Sequence, residues 1–112
     1  MPNEILVVDD NSDIRVLIAS ILKDKGYFVR EAANFDQAIN EIKKKIPEAA
    51  VIDVKLDKGD NDGIELLAEI KKIDDDVPVI MISGHANVQM AVDSLKLGAF
   101  EFMQKPFHQK DY

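Results

Sequence analysis

The sequence predicts an α/β domain built on a doubly wound, five-stranded parallel sheet. Three observations predict it. Short, unbroken aliphatic runs of the kind that form strands buried on both faces recur along the chain. Between them lie stretches of helical periodicity, each long enough for a crossover. The chain has 112 residues, 46% of them hydrophobic and 31% charged, which suits one globular domain and is too short for two.

Ile5-Leu6-Val7-Val8 is the first strand. Asn11 or Ser12 can cap the helix after it, in which Ile14, Leu17, Ile18, Ile21 and Leu22 recur at helical spacing. Gly26 stands where a left-handed C-terminal cap belongs. Tyr27 to Arg30 is the second strand. Asn34 opens the second helix with Gln37 three residues on, a capping-box variant, and Phe35, Ala38, Ile39 and Ile42 form its stripe. Pro47 ends it, and Ala49 to Ile52 is the third strand.

A polar loop runs from Lys55 to Gly63. Ile64, Leu67 and Ile70 mark the third helix, broken by Asp74-Asp75-Asp76. Val79 to Ile82 is the fourth strand. Val88, Ala91, Val92 and Leu95 make the fourth helix, stopped by Gly98, and Phe100 to Met103 is the fifth strand. Right-handed connections then favour a flavodoxin-like strand order, 2-1-3-4-5. A fifth helix is expected after Phe107, where few residues are left for it. Residues 1–112 therefore read as one domain, cut at its C-terminus.

Composition excludes several function classes. With no cysteine there are no disulfides and no thiolate metal sites, in keeping with a reducing cytoplasm. No stretch reaches the roughly 18 apolar residues of a membrane span, and Met1-Pro2-Asn3-Glu4 lacks a signal-peptide pattern. The net charge of −7 would be repelled by phosphate backbones, so no direct binding of nucleic acid is expected.

Ligands of open parallel sheets bind beyond the carboxyl ends of the strands. Asp9-Asp10, Asp53 and Ser83 close the first, third and fourth strands, and Lys105-Pro106 follows the fifth. Carboxylates gathered there repel one another unless a hard divalent cation such as magnesium, which prefers oxygen ligands, lies among them. Asp53 can then attack a phosphorus atom while the cation and Lys105 neutralise the phosphoryl oxygens, since phosphoryl transfer rests on positioning and charge. Strand-end carboxylates also cap helices or stay solvated; three carboxylates, one hydroxyl and one ammonium together at the correct ends favour a site.

These residues give the chain a close resemblance to the receiver domains of two-component response regulators, over its whole length. The pattern comprises Ile5-Leu6-Val7-Val8-Asp9-Asp10, Asp53 after an aliphatic strand, Ser83-Gly84, and Lys105-Pro106-Phe107 after an aromatic. The resemblance implies a CheY-like fold and phosphorylation of Asp53 by a sensor histidine kinase. It implies that Asp9, Asp10, Asp53 and the Lys55 backbone carbonyl hold Mg2+ or Mn2+, Asp10 directly and Asp9 through water. It makes Ser83 and Lys105 the phosphoryl-binding residues, Ser83 and Phe102 the switch pair, and the Lys105–Pro106 peptide cis.

Met81-Ile82-Ser83-Gly84-His85 and Gly98-Ala99-Phe100-Glu101-Phe102 are similar to the nitrogen-regulator branch, NtrC and NtrX. The branch implies an output module outside this chain, a transcriptional activator, and allows a weak homodimer through the face of the fourth helix and fifth strand. The usual proline four residues past the acceptor is Asp57 here, and Asp62-Gly63 falls about two residues late, a longer loop similar to NtrX-type proteins.

Other signals compete. Asp60, Asp62, Gly63 and Glu69 fit positions of a calcium-binding EF-hand loop, but its first position is Lys58 and the preceding element is a strand. An aromatic such as Phe102 on a terminal strand is ordinarily packing. His85 and His108 read as surface groups, Lys43-Lys44-Lys45 as a solvated helix end, and Met81, Met90 and Met103 as core or near-core fillers. The alternatives from other classes are a haloacid-dehalogenase-type phosphatase and a flavodoxin-like cofactor-binding module. Adjacent Asp9-Asp10 disfavours the first, and Asp-Asp-Asn in place of a Ser/Thr/Gly phosphate loop disfavours the second.

Overall fold

A computed structural model of the protein describes residues 3–56, 62–84 and 88–104. Strands and helices alternate: β1 Glu4–Val8, α1 Ser12–Asp24, β2 Phe28–Ala32, α2 Phe35–Lys44, β3 Ala49–Asp53, α3 Asp62–Ile73, β4 Val79–Ser83, α4 Val88–Lys96 and β5 Glu101–Gln104. All neighbouring strands are parallel, in the order β2-β1-β3-β4-β5. The predicted topology is the observed one.

Period-two alternation sends successive strand residues to opposite faces. Leu6, Val8, Ala50, Ile52, Val54, Val79 and Met81 face a large core with Ala38 and Ile42 of α2 and Leu66, Leu67 and Ile70 of α3. Ile5, Val7, Val51 and Ile82 face a smaller one, against which Ile18 and Leu22 of α1 pack.

The helix ends follow local chemistry. The Asn11 side chain accepts from the Asp13 and Ile14 amides at 2.9 and 3.2 Å, capping α1. The Asn34 oxygen accepts from Gln37 N at 2.8 Å, and the Gln37 side chain accepts in return from Ala33 N at 2.8 Å. Gly26 (φ 96°) and Gly98 (φ 101°) close α1 and α4 in the left-handed region.

Three expectations about packing need correction. Leu17 and Ile21 face solvent, so the buried face of α1 is narrower than its apolar stripe. In α4 the residues turned inward are Met90, Ala91 and the fully buried Ser94, while Val88, Val92 and Leu95 are exposed. Of the stripe read from sequence, Ala91 turns inward and the other three residues lie on the outer face of that helix. Met103, read as a core filler, is also exposed, because β5 is an edge strand.

Candidate functional site

The site arises from register. β1 and β3 are neighbours with Val8 opposite Ile52, so the next residues, Asp9 and Asp53, emerge side by side at the carboxyl edge. Asp9 is fully buried and Asp53 nearly so, whereas Asp10 is exposed. One carboxylate oxygen from each of Asp9, Asp10 and Asp53 lies within 4.8 Å of the other two. Two unit charges at that separation repel by about 3–4 kcal/mol at an effective dielectric of ~20. Such a cluster of hard oxygen donors fits a divalent cation of the magnesium kind, held by carboxylates and still able to keep waters.

The backbone around Asp9 is braced. Its N–H donates to Ala32 O at 3.2 Å, its carbonyl accepts from Arg15 Nη1 at 2.8 Å, and its Oδ1 accepts from Asn11 N at 2.9 Å. Arg15 Nε also pairs with Glu31 Oε1 at 3.0 Å. This arginine therefore ties α1, the Asp9 turn and β2 together, and brings a positive charge close to the carboxylates. Sequence reasoning passed over it. Its only signal was its place one turn after the capping Asn11, a contact register alone cannot reveal.

Asp53 is opposite Ile82, and Val54 N donates to Ile82 O at 2.9 Å, so Ser83 lies on the same edge one step further along β4. Ser83 is buried at the strand end. Lys55 N lies 3.4 Å from Asp53 Oδ1, the long limit of a hydrogen bond. Phe102 is opposite Met81 and half-buried against the larger core. Lys105 and Pro106, with the expected cis peptide between them, lie outside the described residues, as do His85 and His108.

The pair Asp62-Gly63, read from sequence only as a late turn and part of a calcium-loop near miss, makes contacts that reading did not reach. Asp62 is buried, and its Oδ1 accepts from the Leu56 backbone amide. Gly63 N donates to Val54 O at 2.8 Å, and a Cβ at Gly63 would collide with the Asp53 carbonyl oxygen. The start of α3 thus lies against the backbone of the acceptor position. The same geometry removes the calcium-loop reading. Asp62 and Glu69 sit in one continuous helix, about 10 Å apart along its axis, too far to share an ion.

The family model for the response regulator receiver domain matches residues 5–112. The chain belongs to the response regulator receiver family. This receiver is 45% identical over 108 residues to the nitrogen assimilation regulatory protein NtrX of Azorhizobium caulinodans, covering 96% of this chain and 24% of that protein. It is similar to the solved receiver domain of NtrX from Brucella abortus, with a TM-score of 0.85, 46% identity, and coverage of 92% of this chain and 86% of that one. A response regulator from Burkholderia pseudomallei, solved with a phosphorylated aspartic acid, a calcium ion and citrate, matches with a TM-score of 0.85 and 31% identity over 93% of this chain and 60% of that one.

The chain spans about a quarter of the length of the NtrX relative it matches. Phosphorylation-dependent switching is the known role of receivers of this NtrX/NtrC type, which pair with histidine kinases and output domains. The comparisons lend no support to the phosphatase or cofactor-carrier readings.

Proposed function

We propose that this receiver accepts a phosphoryl group on Asp53 from a sensor histidine kinase in the cytoplasm, and that the modified aspartate switches an output module outside residues 1–112. The output fitting the NtrX-like branch is a transcriptional activator. The observation that carries the reading is the convergence of Asp9, Asp10 and Asp53 on one small volume, with Asp53 at the end of a buried strand.

Asp53 supplies the nucleophile. A carboxylate oxygen attacks phosphorus, the bond from phosphorus to the donor nitrogen breaks, and the donor imidazole leaves with the electron pair. Asp9, Asp10, Asp53 and the Lys55 carbonyl would hold Mg2+ or Mn2+, which when bound supplies charge neutralisation for the phosphoryl oxygens. Asp9 is positioned for this by Arg15, Asn11 and Ala32, so its carboxylate needs little reorganisation. Ser83 hydrogen-bonds a phosphoryl oxygen, and Lys105 pairs with the same group.

The new dianion draws Ser83 toward it, and the rearrangement reaches Phe102, which lies on the neighbouring strand half-buried against the larger core. The domain turns over no external substrate beyond its own phosphorylation and dephosphorylation. It binds no nucleic acid directly, in keeping with its charge of −7. No described helix is long and apolar enough to cross a membrane.

The test is incorporation from acetyl phosphate, read by intact mass. With Mg2+ the chain should gain one acid-labile phosphoryl group, and with the cation removed by EDTA it should gain none. An undiminished gain in Asp53→Asn would falsify the assignment.

A further inference from the structure

We infer that Asp62 is a positioning residue for the metal: by holding the Leu56 N–H, its carboxylate aims and polarises the Lys55 carbonyl. The inference rests on the proposed metal site, in which that carbonyl is a ligand. The Lys55 carbonyl and the Leu56 amide belong to one peptide group. No peptide among the described residues is cis, so this C=O and N–H point in opposite directions. Whatever fixes the Leu56 N–H therefore fixes the heading of the Lys55 oxygen. Asp62 Oδ1 is the acceptor for that N–H.

The burial pattern supports an aimed peptide. Val54 and Leu56 are buried in the larger core, and Lys55 between them is exposed. Their side chains set the path of the backbone, which leaves rotation of the 55–56 peptide as the soft coordinate for Asp62 to set. Asp62 is itself 3% exposed. A carboxylate that deep needs strong partners, and a charge-assisted bond to an amide is about twice as strong as a neutral one. Such a bond also pushes electron density onto the carbonyl oxygen of the same peptide, improving it as a ligand for a hard cation.

Asp62 cannot drift from this position, because the next residue is clamped. Gly63 N donates to Val54 O at 2.8 Å, with its Cα against the Asp53 carbonyl. The acceptor strand and the first turn of α3 are thus pinned on both sides of residues 57–61. A simpler role for Asp62 is favourable charge at the helix N-terminus, which would affect stability and leave metal binding alone.

Titration of the full chain with Mg2+ alone separates the two roles. The Lys55 carbonyl 13C and Leu56 amide resonances are followed in wild type, Asp62→Ala, Asp62→Asn and Asp10→Asn, with folding of each variant checked by thermal melting in EDTA. Outer-shell partners of metal ligands typically contribute 10–100-fold in affinity, and with several ligands sharing the ion Asp62→Ala should weaken Mg2+ binding by about tenfold. The Lys55 carbonyl response should shrink with it, and Asp62→Asn, which keeps an acceptor oxygen without the charge, should fall between.

Folded Asp62→Ala with wild-type affinity and an unchanged Lys55 response overturns the inference and leaves the metal site standing. If that variant does not fold, Asp62→Asn decides: weaker binding supports the inference and unchanged binding overturns it. If wild type shows no Mg2+ binding, or Asp10→Asn binds as well as wild type, the site reading itself fails and takes the inference with it.

Discussion

Asp9 and Asp53 are buried carboxylates, a type of group seldom found inside a protein without a partner of opposite charge. Asp53 ends β3 and Asp9 follows β1 at the same register step, so the backbone holds the two side by side. Clustered carboxylates repel one another, and a divalent cation among them would relieve that repulsion. Arg15 and Asn11 hold Asp9 at the position that keeps the cluster together. Ser94 shows the opposite case. Its hydroxyl is fully buried in α4 with no hydrogen-bond partner among the described residues. Ser94→Ala removes that unmet group and adds helix propensity, so it should stabilise the fold by about 1 kcal/mol, a few degrees in Tm. Thermal melting of the two proteins checks this.

At the level of elements, β3 and α3 form one unit through the Asp62-Gly63 pair. Gly63 is needed because of close approach: a methyl group there would meet the Asp53 carbonyl oxygen, with the Asp53 carbon 2.8 Å away. Backbone cannot step aside as a side chain does. Gly63→Ala should therefore cost at least about 2 kcal/mol and lower Tm by roughly 10 °C, and should slow phosphorylation at the displaced Asp53. A variant as stable and as readily phosphorylated as wild type would refute the coupling. On the same face of the sheet, at its β2 edge, Arg30 ties the elements by charge, pairing with Glu4 at 3.1 Å and Glu41 at 3.2 Å while donating to Lys45 O at 2.7 Å.

These element contacts mark where sequence reading stops. Strand order, the caps at Asn11 and Asn34 and the carboxylates at strand ends were legible, because each depends on periodicity or local hydrogen bonding. The outward turn of Val88, Val92 and Leu95 was not, because periodicity gives a stripe and not its direction. Nor was the Gly63 contact, which joins two segments across a loop. Asp62 drew notice only as part of a late Asp-Gly and a failed calcium loop.

Over the whole molecule, the two faces of the sheet are unequal. Three helices cover the large core, and α1 alone meets the smaller one among the described residues. The carboxyl edge carries the acidic cluster, and elsewhere Val88, Val92 and Leu95 of α4, with Phe100 and Met103 in or beside β5, are exposed. Single exposed aliphatics need no explanation, but three on the outer face of one helix suit an interface with a second copy. The expected association is weak in the unmodified state and stronger after phosphorylation. Sedimentation of wild type and of Val92→Asp should show the phosphorylated wild type shifting toward dimer and the variant staying monomeric with its fold intact. Equal behaviour of the two would remove this face from the account.

The central claim is that a single carboxylate, at position 53, receives the phosphoryl group. Trapping the phosphorylated chain with borohydride converts an acyl phosphate into an alcohol, and peptide mapping then locates it. Conversion is expected at Asp53, dependent on Mg2+. Conversion at Asp9 or Asp10, or none in a chain that has gained phosphate, would contradict it.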